Sequence, residues 1–256
     1  YPNPENPDAW ELALKLAKEK DADIVLATDP DADRLGVRVK DKNGEYHDLT
    51  GNMSGCLLAN YEISQRKAVN GSLPEDGALI KTIVTTNLAD AIAKGYGVKL
   101  IEVLTGFKFI GQQILGFEKS GKGSYLFGFE ESYGYLAGPY VRDKDAVIAS
   151  MLICEMAAYY RSIGSSLKQR LEEIYAEYGR YLNKIDSFEF PGLSGMDKMS
   201  GIMQNLRENA PAEIAGYKVT EVTDYTKTEE TGLPVIGLVK IQYPGYEGYI
   251  TPCLLY

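Results

Sequence analysis

Apolar positions along this chain fall into short continuous runs, separated by stretches that repeat every three or four residues. The run Ile24-Val25-Leu26 is too short for a helix and rich in branched side chains, so it reads as a buried parallel strand. Before it, Trp10, Ala13, Leu14 and Ala17 recur at helical spacing, with Asp8 and Glu11 placed as a capping box. A helix is therefore predicted over 8–20, with Trp10 as its core anchor. Leu35–Val39 reads as a strand, Asp41–Gly44 as a hairpin turn and Ser54–Arg66 as a helix. Strands follow at Ala78–Val84, Val98–Val103 and Tyr125–Phe129, with helices at 88–96 and 111–118. Asp145–Ser162 is apolar nearly all round and reads as a buried helix, and Ser165 is placed to cap another through Tyr178. A strand over 180–190, a helix near 196–209 and strands near 217–224 and 235–243 come next, while Tyr246–Tyr256 has no clear pattern.

Strands alternating with helices over 50–160 predict an α/β domain, and Pro191-Gly192-Leu193-Ser194-Gly195 is a candidate boundary after it. At the other end, one strand and one helix cannot bury the strand's second face. Either other segments complete that layer or the sequence is a fragment.

The densest chemistry lies directly after the first apolar run, in Ala27-Thr28-Asp29-Pro30-Asp31-Ala32-Asp33-Arg34. Carboxylates at i, i+2 and i+4 of an extended loop can turn toward one point, where they repel one another unless a cation sits between them. A small hard divalent ion with oxygen ligands fits them, Mg²⁺ above all, with positions left for a phosphate oxygen and water. Arg34 adds a planar fork of donors that matches a phosphate. An EF-hand loop also begins Asp-x-Asp-x-Asp, but it needs Gly at its sixth position and Glu at its twelfth, which here are Arg34 and Lys40.

Length and composition narrow the setting. The chain has 256 residues, 45% hydrophobic and 25% charged, as in an ordinary soluble globular protein of about two domains. A net charge of −9 argues against nucleic acid and anionic membrane as partners. Cys56, Cys154 and Cys253 are few, widely spaced and set largely in apolar stretches, which reads as reduced thiols in a cytoplasm. The lone histidine, His47, sits at a hairpin exit and is expected at the surface.

Three further segments carry candidate chemistry. Glu130 and Ser132, two apart after a strand, can each hydrogen-bond a vicinal sugar hydroxyl, although Glu-Glu-Ser is also a common helix start. Lys108 can meet a phosphate or simply be solvated. Arg142-Asp143-Lys144-Asp145 can open a helix with a surface ion pair of little energetic weight.

In this order the four segments resemble those of the α-D-phosphohexomutases, the phosphoglucomutase/phosphomannomutase family. Asp29-Pro30-Asp31-Ala32-Asp33-Arg34 is similar to that family's metal-binding loop. Thr105-Gly106-Phe107-Lys108 resembles its third-domain loop that helps set sugar orientation. Phe129-Glu130-Glu131-Ser132-Tyr133-Gly134 resembles its sugar-binding loop, and Arg142-Asp143-Lys144-Asp145 its Arg-Asp-Lys-Asp segment. The resemblance implies Mg²⁺ on Asp29, Asp31 and Asp33, Arg34 on the phosphoryl group, sugar contacts from Thr105, Gly106, Lys108, Glu130 and Ser132, and Lys81 as general acid or base. It implies conversion of a sugar 1-phosphate to a 6-phosphate through a phosphoserine and a hexose bisphosphate.

The family's Ser-His-Asn-Pro and Arg-x-Ser-Gly-Thr segments have no counterpart here. In family terms the chain is expected to comprise the end of domain 2 over 1–46, domain 3 over 47–190 and an incomplete domain 4 over 191–256. The first domain is missing from that arrangement of mixed α/β domains, and the chain alone is expected not to turn over. The alternatives are a non-catalytic fragment that binds Mg²⁺ and sugar phosphate, and the phosphopentomutase or glucose-bisphosphate synthase branch.

Overall fold

Trp10 is sealed from solvent, as its place in the helical repeat predicts, but the helix around it begins differently. Pro7–Trp10 is a single 3-10 turn whose N-cap is Asn6, accepting from the Asp8 N–H, and only then does α1 (Glu11–Lys20) follow. The capping box of Asp8 and Glu11 therefore does not form. The computed structural model describes residues 2–184, 186, 188–243 and 246–250, which divide into two compact units, Tyr1–Asn183 and Lys184–Tyr256.

In the first unit, β1 (Ile24–Thr28), β2 (Leu35–Lys40) and β3 (Tyr46–Leu49) form an antiparallel meander in that order. The predicted parallel pairing of Ile24-Val25-Leu26 is thus corrected: Leu26 faces Val37 across an antiparallel ladder. The run is continuously apolar because both faces are covered. Val25 packs with Trp10 and Ala17, while Ile24 and Leu26 lean on the main core with Leu35, Val37 and Val39. Later segments complete this layer. Gly36 is the residue that admits Trp10, since a Cβ there would lie 2.6 Å from the indole ring.

Next come α2 (Gly51–Asn70), β4 (Gly77–Thr82), α3 (Leu88–Tyr96), β5 (Lys99–Val103), α4 (Phe107–Ser120), β6 (Ser124–Glu130), β7 (Gly134–Leu136), α5 (Ala146–Ser162) and α6 (Leu167–Tyr178). Their sheet runs β5-β4-β6-β7, parallel among the first three, with β7 antiparallel at the edge. The central strands are short apolar runs covered on both faces, so they carry no alternation. Leu57, Leu58 and Ile63 of α2, Leu79, Phe127 and Phe129 are fully or almost fully buried in the main core.

Three further expectations in this unit are corrected. Helix α4 begins at Phe107, so Phe107 and Lys108 form its first turn: Gly106, at φ 108°, ends the loop, and Phe107, Ile110 and Ile114 bury one face. Helix α5 is not buried all round, because Val147 and Met151 are 68% and 54% exposed and Cys154 is also exposed. The cap of α6 is Ser166, whose hydroxyl accepts from the Gln169 N–H, not Ser165. His47, on β3, has a side chain 41% exposed, as expected of a surface residue, with Nε2 2.8 Å from Asp41 Oδ2. Among the described residues no single helix is long and apolar enough to cross a membrane.

In the second unit, α7 (Leu193–Glu208) packs Met203 against an antiparallel sheet. It is followed by the hairpin β8 (Glu213–Ile214) and β9 (Tyr217–Lys218), then β10 (Glu221–Asp224), the short α8 (Thr228–Thr231), β11 (Val239–Tyr243) and β12 (Tyr246–Ile250). β12 pairs with β11, so the segment that shows no pattern in sequence does contribute a strand. The described residues of 180–190 belong to no strand, contrary to expectation. Cys253 and the rest of the tail lie outside the described residues.

Candidate metal centre

The acidic loop links β1 to β2, and its backbone is shaped by its own first carboxylate. Asp29 Oδ1 accepts from the N–H of Asp33 at 3.2 Å and of Arg34 at 3.1 Å, while the Ala32 N–H closes onto the Asp29 carbonyl. Ala32 takes the left-handed conformation at φ 57°, which folds the loop back and gathers the acids. Ligand oxygens of Asp29, Asp31 and Asp33 lie within 4.8 Å of one another. Neighbouring ligands on one face of an octahedral Mg²⁺ stand about 3 Å apart, from its 2.0–2.1 Å bonds, so an ion there draws the three carboxylates closer together.

The donor set fits such an ion on a second count. Asp33 Oδ1 is buried without a hydrogen-bond partner, Arg34 Nε standing 4.0 Å away, and a cation at bonding distance relieves that cost. Asp29 is nearly buried and Asp31 is exposed, leaving one side of the cluster open to a ligand. Burial pushes the Asp29 carboxyl up, but the N–H groups of Arg34 and Asp33 and the guanidinium of Arg34 outweigh it, and its pKa is lowered. Asp33 moves the other way: burial and the neighbouring Asp29 and Asp31 raise it against the pull of Lys144.

Two other predicted segments converge on this loop. The Leu35 N–H donates to the Tyr133 carbonyl at 3.0 Å, and Arg34 bridges to Gly134, joining the acidic loop to the segment that holds Glu130 and Ser132. The Ala146 N–H donates to the Ala32 carbonyl at 3.1 Å, and the Asp145 N–H to the Tyr135 carbonyl at 3.0 Å. Asp145 also caps α5 by accepting from the Val147 and Ile148 N–H groups, so the helix-start reading of Arg142–Asp145 holds. An open cleft of about 360 Å³ lies between Asp31–Asp33 and Val141–Asp145.

Glu130 ends β6 and is 8% exposed. Burial, reinforced by Glu131, pushes its pKa up to about 7, while Lys144 and Arg34 pull it down. Ser132 sits in the following turn, its hydroxyl 3.3 Å from Glu131 Oε1. Glu131 itself takes hydrogen bonds from the Thr82 and Thr85 hydroxyls at 2.9 and 3.1 Å, which ties the turn to the carboxyl end of β4. Thr105 and Gly106 stand at the carboxyl end of β5, on the same sheet edge. Lys108 is exposed, with Nζ 5.0 Å from the Phe109 ring centroid. Among the described residues no hydrogen bond or ion pair joins Thr105, Gly106 or Lys108 to the acidic loop.

Lys81 is set apart from that cluster. It is fully buried, and its ammonium meets the Thr85 carbonyl at 3.1 Å, Asn87 Oδ1 at 2.9 Å, Asp90 Oδ1 at 2.9 Å and Glu102 Oε1 at 3.1 Å. Lys144, by contrast, is singled out by no sequence rule beyond its segment, yet its Nζ lies 2.8 Å from Asp33 Oδ2 and 3.2 Å from Asp143 Oδ1. Its signal in the sequence is its place in the Arg142–Asp145 segment, just ahead of an apolar helix.

The acidic loop and the Glu-Glu-Ser turn fall within two stretches of the chain that match domains of one family. Residues 50–178 match the phosphoglucomutase/phosphomannomutase alpha/beta/alpha domain III, and residues 1–44 match its domain II. The chain belongs to the phosphoglucomutase/phosphomannomutase family. It is 41% identical over 227 residues to the phosphoglucomutase of Staphylococcus aureus strain N315, an alignment covering 89% of this chain and 40% of that protein. The chain thus spans well under half the length of the curated relatives it matches.

Solved structures agree on the fold. A phosphoglucomutase/phosphomannomutase family protein of Burkholderia thailandensis superposes with a TM-score of 0.60 at 18% identity, over 95% of this chain and 43% of that one. The parafusin phosphoglucomutase of Paramecium, in its open form, gives 0.59 at 18% identity, over 96% of this chain and 42% of that one.

Proposed function

We propose that this chain supplies the metal-binding and sugar-recognition part of an enzyme that interconverts sugar 1-phosphates and 6-phosphates through a phosphoserine and a hexose bisphosphate. The observation that carries this reading is the convergence of the acidic loop, the Glu130–Ser132 turn and the Arg142–Asp145 loop through the three backbone hydrogen bonds from Leu35, Asp145 and Ala146. In family terms residues 1–46 are the end of domain 2, 47–190 domain 3 and 191–256 part of domain 4.

Asp29, Asp31 and Asp33 hold Mg²⁺, which supplies positive charge against the transferring phosphoryl group. Arg34, with Nε 3.6 Å from Asp29 Oδ2 and 4.0 Å from Asp33 Oδ1, lies beside the acidic loop and meets the same group, where a fixed cation costs no reorganisation as charge develops. Glu130, which takes up its proton near neutrality, accepts from or donates to a sugar hydroxyl, and Ser132 holds its neighbour. Thr105, Gly106 and Lys108 line the same sheet edge and orient the sugar and its distal phosphate. Lys81, with four oxygen partners, is assigned to structure rather than proton transfer. Hexose phosphate and hexose bisphosphate are the ligands, and the solvent-facing free thiol of Cys154 suits a reducing cytoplasm.

Calorimetric titration with glucose 1,6-bisphosphate, with Mg²⁺ and with EDTA, tests this reading. Binding that requires Mg²⁺, with an intact mass that gains no phosphoryl group, is the expected result. Equal binding in EDTA, or a phosphorylated chain, overturns it.

A further inference from the structure

We propose that Lys144 is a positioning residue for the metal: it fixes Asp33 so that Oδ1, and not Oδ2, is presented to the ion. This rests on the metal reading of the acidic loop. Asp33 has two chemically equivalent oxygens, and the structure treats them differently. Oδ2 is held at 2.8 Å by the Lys144 ammonium, whereas Oδ1 is buried without a hydrogen-bond partner, with Arg34 Nε 4.0 Å away, beyond hydrogen-bond reach. A carboxylate held at one oxygen loses its rotational freedom, so the other becomes the fixed ligand atom.

A cation that merely stood in for the metal would sit among the three carboxylates and touch more than one. Lys144 pairs with only Asp33 of the three, and its second carboxylate, Asp143, lies outside the cluster. Nor does Lys144 wander on the surface, since its side chain is only 14% exposed. Its stem runs over Gly134, where a Cβ would lie 2.5 Å from Lys144 Cδ and 2.7 Å from Glu130 Oε1. The glycine of the Glu130–Gly134 turn therefore opens the path by which the lysine reaches the metal loop. Asp29 is held differently, with Oδ1 occupied by two backbone N–H groups and Oδ2 3.6 Å from Arg34 Nε.

The test is Mg²⁺ affinity by calorimetry and Mn²⁺ binding by electron paramagnetic resonance, for the chain and for Lys144→Met and Lys144→Arg. Loss of an outer-sphere partner of this kind weakens metal binding about 10- to 100-fold. That loss is expected for Lys144→Met, with Lys144→Arg within a few-fold of the parent and circular dichroism of both unchanged without metal. Should the Met variant not fold, Lys144→Gln, one bond shorter, carries the same expectation. Affinity that is unchanged or tighter in the Met or Gln variant overturns the positioning role and leaves the metal site standing. A parent chain that takes up neither ion overturns the metal reading itself.

Discussion

The backbone N–H of Ala146 donates to the carbonyl of Ala32 at 3.1 Å, so the first turn of α5 is bonded to the left-handed residue of the acidic loop. An alanine at φ 57° is strained by about 1 kcal/mol, partly offset because glycine loses more freedom on folding. Ala32→Gly is therefore expected to stabilise the metal-free chain by about 0.5 kcal/mol, and Ala32→Val to destabilise it by about 1–2 kcal/mol. Urea unfolding in EDTA checks both, and the reverse order would mean that the loop is not strained at Ala32.

Asp31 is the exposed member of the acidic cluster. Removing it relieves repulsion between carboxylates and orphans no buried partner, so Asp31→Ala should leave metal-free stability within about 0.5 kcal/mol of the parent. Its calorimetric Mg²⁺ signal should disappear. Retained affinity would show that Asp31 is not a ligand.

Glu130 makes stability depend on pH. Its folded pKa of about 7 lies above the ordinary 4.5, so the folded chain holds a proton that the unfolded chain releases. Its full contribution is present below the unfolded value and is lost as pH rises from there through about 7, a loss of about 3 kcal/mol. Glu130→Gln should flatten that part of the curve while weakening sugar-phosphate binding and sparing Mg²⁺ affinity. Denaturant midpoints at pH 5 and pH 8 in EDTA decide the first point. Parallel curves for the two proteins would exclude Glu130 as the source.

Much of this arrangement is legible in the sequence, and its failures have physical causes. Asp29, Asp31 and Asp33 are recognisable because their spacing has meaning only if they meet, and the structure does bring them together. β4, β5 and β6 are legible as branched apolar runs. The pairing direction of Ile24–Leu26 is not, because cover on both faces produces the same unbroken run whether the neighbour is parallel or antiparallel. Helix α5 shows the converse: an all-apolar surface does not reveal which side packs, and Val147 and Met151 face out. Adjacent serines at 165 and 166 cannot be told apart as caps without the backbone angles. Lys144 is legible as part of its segment, but not its pairing with Asp33, which is remote in sequence.

Lys81 offers a test of structure against catalysis. Lys81→Met keeps the buried stem but leaves the Thr85 carbonyl and Asn87 Oδ1 without their donor. A cost of about 1–3 kcal/mol is expected, with Mg²⁺ and sugar-phosphate affinities unchanged. Thermal unfolding and calorimetry on one preparation read both. Full stability with lost affinity would return Lys81 to the site.

The joint between the acidic loop and the Glu130–Gly134 turn is made by main chain: Leu35 N–H to Tyr133 O, and the bridge from Arg34 to Gly134. A main-chain joint does not read side-chain identity, so residues at Leu35 or Tyr133 are free to drift so long as they fill their places. Loop length is what must be inherited. A chimera joining residues 1–49 of one relative to the later segments of another keeps the joint when both loops have matching lengths. One residue inserted between Asp29 and Arg34, or between Glu130 and Gly134, disrupts it even though every functional side chain is still present.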